Sequence, residues 1–193
     1  MRRVGYYITI TTDGMYADTE GGLAYFEPAE EEHRLANHLV RDSGDLVMGR
    51  VMYDLMAYWD DLDLDDEQVS DVEREFATYW RQTPKHVVSH GRPTLRPNAD
   101  LVEGDVVDAV RQMKTHDGPD IMLGAGADLF AELSRAGLID DYRFLIAPIA
   151  LGDGKALFAS LDEPLKLKLV NSRVFPSGSV LVEYVRADQE NGR

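Results

Sequence analysis

The sequence predicts an α/β protein built on a mainly parallel β-sheet, and three stretches carry that reading. Ile121–Leu123 is an apolar run that stops at Gly124-Ala125-Gly126, and a helical pattern with Leu129, Phe130 and Leu133 on one face follows. Gly137 ends that helix, and Tyr142–Leu151 is then apolar too continuously for a half-exposed strand. Strand, glycine turn, helix and buried strand make a βαβ unit. A second junction of the same kind lies at Asp45–Met48, Gly49-Arg50 and the helical segment behind them.

Taken in order, Val4–Thr11 is β-branched and aromatic and reads as a central strand. Thr12-Asp13-Gly14 ends it with turn chemistry. Pro28 is expected in the first turn of a helix, with Glu30, Glu31 and Glu32 at the positive end of its dipole and Leu35, Leu39 and Val40 inward. Ser43-Gly44 stops that helix. The segment from Arg50 is expected to turn Val51, Leu55 and Met56 inward. Asp61, Asp63 and Asp65 have the opening spacing of a calcium loop, but Asp66 and Val72 stand where glycine and glutamate are needed, so a solvated acidic loop is expected.

Val72–Arg81 is helical, with Phe76 and Trp80 one turn apart, and Thr83-Pro84 breaks it before a strand at Lys85–Ser89. Asp105–Lys114 is a short amphipathic helix. Leu165–Phe175 and Ser179–Val185 alternate around Pro176-Ser177-Gly178 as an antiparallel hairpin, and 188–193 reads as a frayed tail. The 193 residues suit one domain, expected over 1–187.

Charge and composition narrow the function. The 35 acidic against 20 basic side chains leave a formal charge of −15, which repels nucleic acid and anionic membranes. Without cysteine there is no disulfide, zinc-thiolate site or thiol nucleophile. No apolar stretch approaches the roughly 20 residues that span a bilayer, so a cytoplasmic protein is expected. The five histidines show no metal-binding spacing and no GxSxG elbow exists. No metal is expected, and hydride transfer is the chemistry left standing.

In a parallel sheet, ligands gather at the C-terminal strand ends, where loops and helix N-termini converge. Gly49-Arg50, Ser89-His90 and Gly124-Ala125-Gly126 all fall at such ends. The glycine turn offers backbone N–H groups to a phosphate. The Arg50 guanidinium suits the extra phosphate of NADPH; an exposed arginine paired with a nearby carboxylate is the competing reading. His90 either assists that phosphate or is merely exposed.

The segments Met48–Tyr53, Lys85–Ser89, Gly124–Leu129 and Pro148–Phe158 resemble, in order and spacing, the dihydrofolate-reductase-like superfamily. The branch they most resemble is the reductase domain of the bifunctional riboflavin-biosynthesis deaminase-reductase, with its stand-alone bacterial relatives. The resemblance implies a three-layer fold with a mixed, mainly parallel eight-stranded sheet flanked by helices, often a homodimer, and NADPH as cofactor. By position it implies that Gly49, Arg50 and Val51 contact the cofactor phosphates and that Ser89 and His90 flank the adenosine-ribose phosphate. Gly124, Ala125, Gly126 and Ala127 would cradle the pyrophosphate, with Asp128 and Leu129 close behind. Thr12, Asp13 and Gly14 match a loop over nicotinamide and substrate, with Asp13 or water as proton source, and Trp59 would border the substrate.

Where dihydrofolate reductases carry a buried acid, this chain has Glu31, Glu32 and His33, with no clear equivalent among them. The implied activity is reduction of a small heterocyclic or carbonyl compound, as in 5-amino-6-(5-phosphoribosylamino)uracil reductase. A non-catalytic dimeric nucleotide-binding protein of the same fold is the alternative, and a true dihydrofolate reductase a third.

Overall fold

The computed structural model describes residues 1–187; the tail expected at 188–193 lies outside them. Ten strands and six helices follow the order β1 (Val4–Thr11), β2 (Met15–Ala17), α1 (Glu30–Arg41), β3 (Asp45–Gly49), α2 (Arg50–Met56), α3 (Tyr58–Asp61), α4 (Asp71–Gln82), β4 (Lys85–Val88), β5 (Ala99–Leu101), α5 (Val106–Thr115), β6 (Ile121–Gly124), α6 (Ala127–Arg135), β7 (Asp141–Ala147), β8 (Lys155–Ala156), β9 (Leu167–Val174) and β10 (Val180–Arg186). Eight strands form one mixed sheet in the order β5-β4-β3-β6-β1-β7-β10-β9, and β2 and β8 form a second, two-stranded one. The chain divides into two compact units: Met1–Arg2 with Pro28–Gly124, and Arg3–Glu27 with Ala125–Arg193.

In the first unit β5, β4, β3 and β6 are all parallel, with Met48 level with both Val87 and Gly124. The inner strands β3 and β6 are short and largely apolar, with Leu46, Val47, Met48, Ile121 and Leu123 buried, as inner strands of a parallel sheet are. The core joins Val40, Leu46, Met48, Tyr53, Phe76, Trp80 and Val87. Phe76 and Trp80 stack with ring centroids 6.5 Å apart, as their one-turn spacing requires. Ser70 caps α4 and receives the Glu73 carboxylate in return. Buried Lys85 donates to the Trp80 and Thr83 carbonyls, closing the C-terminal end of α4, and its pKa is pushed down by burial. At the opposite end of the strands from Gly49, Asp45 accepts from the Arg2 guanidinium at 2.5 Å and bonds the His86 ring at 2.7 Å.

In the second unit β1 pairs β7 in parallel, and β10 joins β7 and β9 antiparallel as the expected hairpin. Tyr6, Phe130, Phe144 and Tyr142 pack ring against ring over this half.

Several expectations are corrected. Pro28 stands outside α1, whose N-cap is Ala29. The buried positions of α1 are Glu32, Asn37 and Val40, while Leu35 and Leu39 are half-buried. On α2 it is Tyr53 that turns inward; Val51 is 66% exposed and Leu55 45%. The strand in Tyr142–Leu151 stops at Ala147. Strands β2, β5 and β8 were not anticipated, being two or three residues long.

Candidate functional site

Because β3, β4 and β6 run in step, Gly49-Arg50, Ser89-His90 and Gly124 leave three neighbouring strands at the same end of the sheet. Arg50 opens α2 behind the extended N-cap Gly49. Its guanidinium meets Asp54, one turn on, at 3.2 Å, and both side chains are about half exposed (56% and 48%). An exposed pair of this kind is worth about 0–1 kcal/mol, so a phosphate competes with it readily. The Ser89 hydroxyl accepts the Gly91 N–H at 3.1 Å, while His90 is exposed. A Cβ on Gly124 would meet the Met48 methyl at 3.3 Å and Met52 at 3.7 Å, so the glycine lets the turn lie close on a methionine bed.

The glycine turn continues in the second unit. Tyr6, wholly buried and with its phenol pushed well above the ordinary value by burial, donates to the Ala125 carbonyl at 2.8 Å. A trans peptide puts its N–H opposite its C=O, so this bond directs the Gly126 N–H away from the core. Phe130 N–H makes the first intrahelical bond, to Gly126. The N–H groups of Ala127, Asp128 and Leu129 therefore have no acceptor within the helix and carry the positive end of its dipole. The Leu129 and Ala127 side chains are buried, so these two would offer backbone only. Asp128 accepts from the Ser160 hydroxyl at 2.5 Å.

Gly126 is a glycine for a reason the sequence did not show: a Cβ there would lie 2.9 Å from the Tyr16 hydroxyl and 3.1 Å from its ring. The space belongs to Tyr16, which a separation of 110 positions hid from any motif. The amide donors fit a pyrophosphate; the missing side chain at Gly126 serves packing.

Thr12, Asp13 and Gly14 form a stitched corner. The Thr12 N–H and hydroxyl both donate to Ile149 O at 2.8 Å, and Gly14, at φ 83°, bonds Thr11 and Leu157. The Asp13 carboxylate accepts from the Thr11 hydroxyl, from Gly152 N–H at 2.7 Å and from Leu151 N–H at 3.3 Å. Those bonds, the Thr11 one first, hold its pKa below the ordinary value. Through these bonds Asp13 staples the loop that follows β1 to residues 151–152.

Trp59 lies in the first unit, 4.7 Å from the Phe76 ring and edge-on to His33 at 5.6 Å. His33 and the buried Asn37 beneath it are a pair that helical one-turn spacing makes visible in the sequence. Glu32 proves to be a buried acid on α1, with its carboxylate turned back to the Ala29 N–H at 2.6 Å. Among the described residues no group of His, Cys, Asp or Glu is arranged to hold a metal ion, and no helix is long and apolar enough to cross a membrane.

The profile of the RibD C-terminal domain matches residues 2–181. The chain belongs to that family. It is 30% identical to the uncharacterized protein YyaP of Bacillus subtilis over 139 residues, 72% of each chain. It is 25% identical to the uncharacterized YwjB of the same organism over 190 residues, 96% of this chain and 99% of that one. Among solved structures, a putative riboflavin biosynthesis protein from Shewanella sp. PV-4 superposes with a TM-score of 0.72 at 22% identity, covering 96% of this chain and 99% of that one.

The deaminase/5-amino-6-(5-phosphoribosylamino)uracil reductase of Thermotoga maritima gives 0.67 at 17% identity, covering 96% of this chain and 57% of that longer one. A dihydrofolate reductase from Enterococcus faecalis, complexed with NADP(H), gives 0.64 at 14% identity, covering 96% and 97%. These structural likenesses establish the dihydrofolate-reductase-like fold. The family itself supports a reductase-like role.

Proposed function

We propose that this RibD C-terminal domain protein is an NADPH-dependent reductase acting on a small heterocyclic or carbonyl compound. The observation that carries the reading is the shared strand end in the first unit: Arg50 leaves β3 beside the ends of β4 and β6. There its guanidinium takes the adenosine-ribose phosphate, with Gly49, Val51, Ser89 and His90 around it. Val51 contributes its backbone and an exposed apolar side chain. Within the second unit, the Gly126, Ala127, Asp128 and Leu129 amides suit a phosphate group, with the Ala125 carbonyl kept out of the way by Tyr6. When bound, NADPH supplies the hydride. The protein's own part is to orient the dinucleotide and to hold the acceptor beside Trp59.

The test is titration of NADPH and NADH against wild type and Arg50→Ala, by calorimetry. Loss of a charge-assisted pair costs about 1.5–3 kcal/mol. Release of Asp54 from competition changes this by under about 1 kcal/mol. NADPH affinity should fall roughly 10- to 100-fold, with NADH, which lacks the phosphate, little changed. Equal NADPH affinity in the two proteins would remove Arg50 from the site, and a wild type that binds neither dinucleotide would remove the reading itself. Steady NADPH oxidation separates an enzyme from a binding protein of the same fold. Light scattering on the same sample tests the homodimer that the resemblance implies.

A further inference from the structure

We infer that His33 is the proton donor of this reductase, delivering from Nε2 the proton that accompanies the hydride; the inference rests on the reductase reading above. Three observations within the first unit carry it.

The first is the tautomer. Asn37 is fully buried, and its amide nitrogen donates both hydrogens, to Val72 O at 3.0 Å and to the Glu75 carboxylate at 2.6 Å. An amide spent in this way leaves only its oxygen for the His33 ring, whose Nδ1 lies 3.0 Å from Asn37 Oδ1. That oxygen can only accept, so Nδ1 must carry a hydrogen. In the neutral ring Nε2 is then the bare nitrogen, the one that gains and releases the proton. It makes no hydrogen bond among the described residues, and the side chain is half-exposed.

The second is orientation. The ring is edge-on to Trp59, with centroids 5.6 Å apart and an interplanar angle of 78°, and edge-on to Phe76 at 5.5 Å and 82°. With its Nδ1 tied to Asn37 and two aromatic neighbours, the imidazole is positioned as a catalytic acid needs to be.

The third is place. His33 meets the Trp59 ring, and Trp59 stands three residues beyond the end of α2, the helix that Arg50 opens directly after β3.

Neighbouring acids do not fill the role. The Glu32 carboxylate is folded onto the Ala29 N–H, Glu30 is paired with Arg34 at 2.7 Å, and Glu73 on α4 is bonded by Ser70, which keeps its pKa low. Glu73 and Glu75 are the charges α4 brings near the ring, and α3 brings the Trp59 ring, with Asp60 beyond it bonded to Trp80.

The step balances for a C=N acceptor. As a C–H bond forms at carbon with the hydride's electron pair, the C=N π pair moves to nitrogen, which takes the proton from His33 Nε2. The imine becomes an amine, one NADPH is consumed to NADP⁺, and the ring, still bonded to Asn37 through Nδ1–H, regains its proton from water.

The experiment has two arms. Nitrogen NMR of 15N-histidine protein, with His33→Gln to assign the signal, should show Nδ1–H and a bare Nε2 once the ring is neutral; an Nε2–H tautomer overturns the inference. In the kinetic arm, NADPH and 5-amino-6-(5-phosphoribosylamino)uracil are the probes. His33→Gln should keep NADPH affinity within about twofold, lose about 100-fold or more in kcat, and lack the fall in rate with rising pH expected of wild type. Wild-type turnover with a full rate in His33→Gln removes the donor role alone. A wild type that binds no NADPH, or turns over no probe, removes the reductase reading and the donor role with it.

Discussion

Replacing Gly154 with alanine tests how the corner around Asp13 is built. Gly154 precedes β8, which pairs with β2 through Lys155 and Ala17, and its φ is 154°. A Cβ at this position would lie 2.5 Å from the Ala17 carbonyl oxygen, where ordinary contact begins at 3.4 Å. The obstacle is backbone, so the two strands must part by about 0.9 Å or the peptide must rotate. Forced overpacking of this kind costs about 1–3 kcal/mol, and the positive φ adds about 1 kcal/mol. For a chain of this length, a total near 3 kcal/mol lowers Tm by roughly 6–12 °C.

Two other glycines calibrate the figure. Gly152 has φ 77° and open space around a Cβ, so Gly152→Ala should lose only about 1 kcal/mol. Gly91 has neither strain nor a neighbour within 4 Å, so Gly91→Ala should melt within about 0.5 kcal/mol of wild type. Differential scanning calorimetry on the four proteins reads the series directly. If Gly154→Ala melts with Gly91→Ala, the close approach of β2 and the Gly154 turn is wrong.

Other outcomes follow from single contacts. Asp13 has a folded-state pKa below its unfolded one, so its contribution is present above roughly pH 4 and disappears as pH falls through the folded value. Asp13→Asn should therefore be less stable than wild type at pH 7, with the gap closing in acid; a gap that widens on acidification would refute the staple. Arg2→Ala strands the Asp45 carboxylate, only 18% exposed, against His86 alone and should cost about 3 kcal/mol by urea unfolding. A loss under about 0.5 kcal/mol would show that the Arg2 pair does not hold the strand ends together.

Much of the fold was legible because its elements carry period and punctuation. Val4–Thr11 is the strand expected, to the residue, and α4 and the C-terminal hairpin follow from Phe76–Trp80 spacing and from Pro176-Ser177-Gly178. Strands of two or three residues, such as β2 and β8, have no period to read; they exist because each pairs with the other. On α2 the apolar pattern misled: Tyr53 carries a large ring inward, with its hydroxyl accepting the Arg96 N–H at 2.7 Å, and that takes the core position assigned to Val51 and Leu55.

The site divides the same way. Its strand ends were visible as Gly49-Arg50, Ser89-His90 and the glycine turn, and the Arg50–Asp54 pair was implicit in a four-residue spacing. The ring of Tyr16 on Gly126, the bond from Tyr6 to Ala125 and the burial of Asn37 depend on segments far apart in sequence, which no local pattern encodes.

The chain has only two tryptophans, Trp59 and Trp80, and both lie in the unit spanning 28–124. Intrinsic indole emission is therefore a reporter for that unit. The other unit is optically silent at these wavelengths, so a lesion such as Gly154→Ala must be followed by heat capacity or amide dichroism. An unchanged emission curve beside a shifted calorimetric one would mean that the two units melt as separate cooperative bodies.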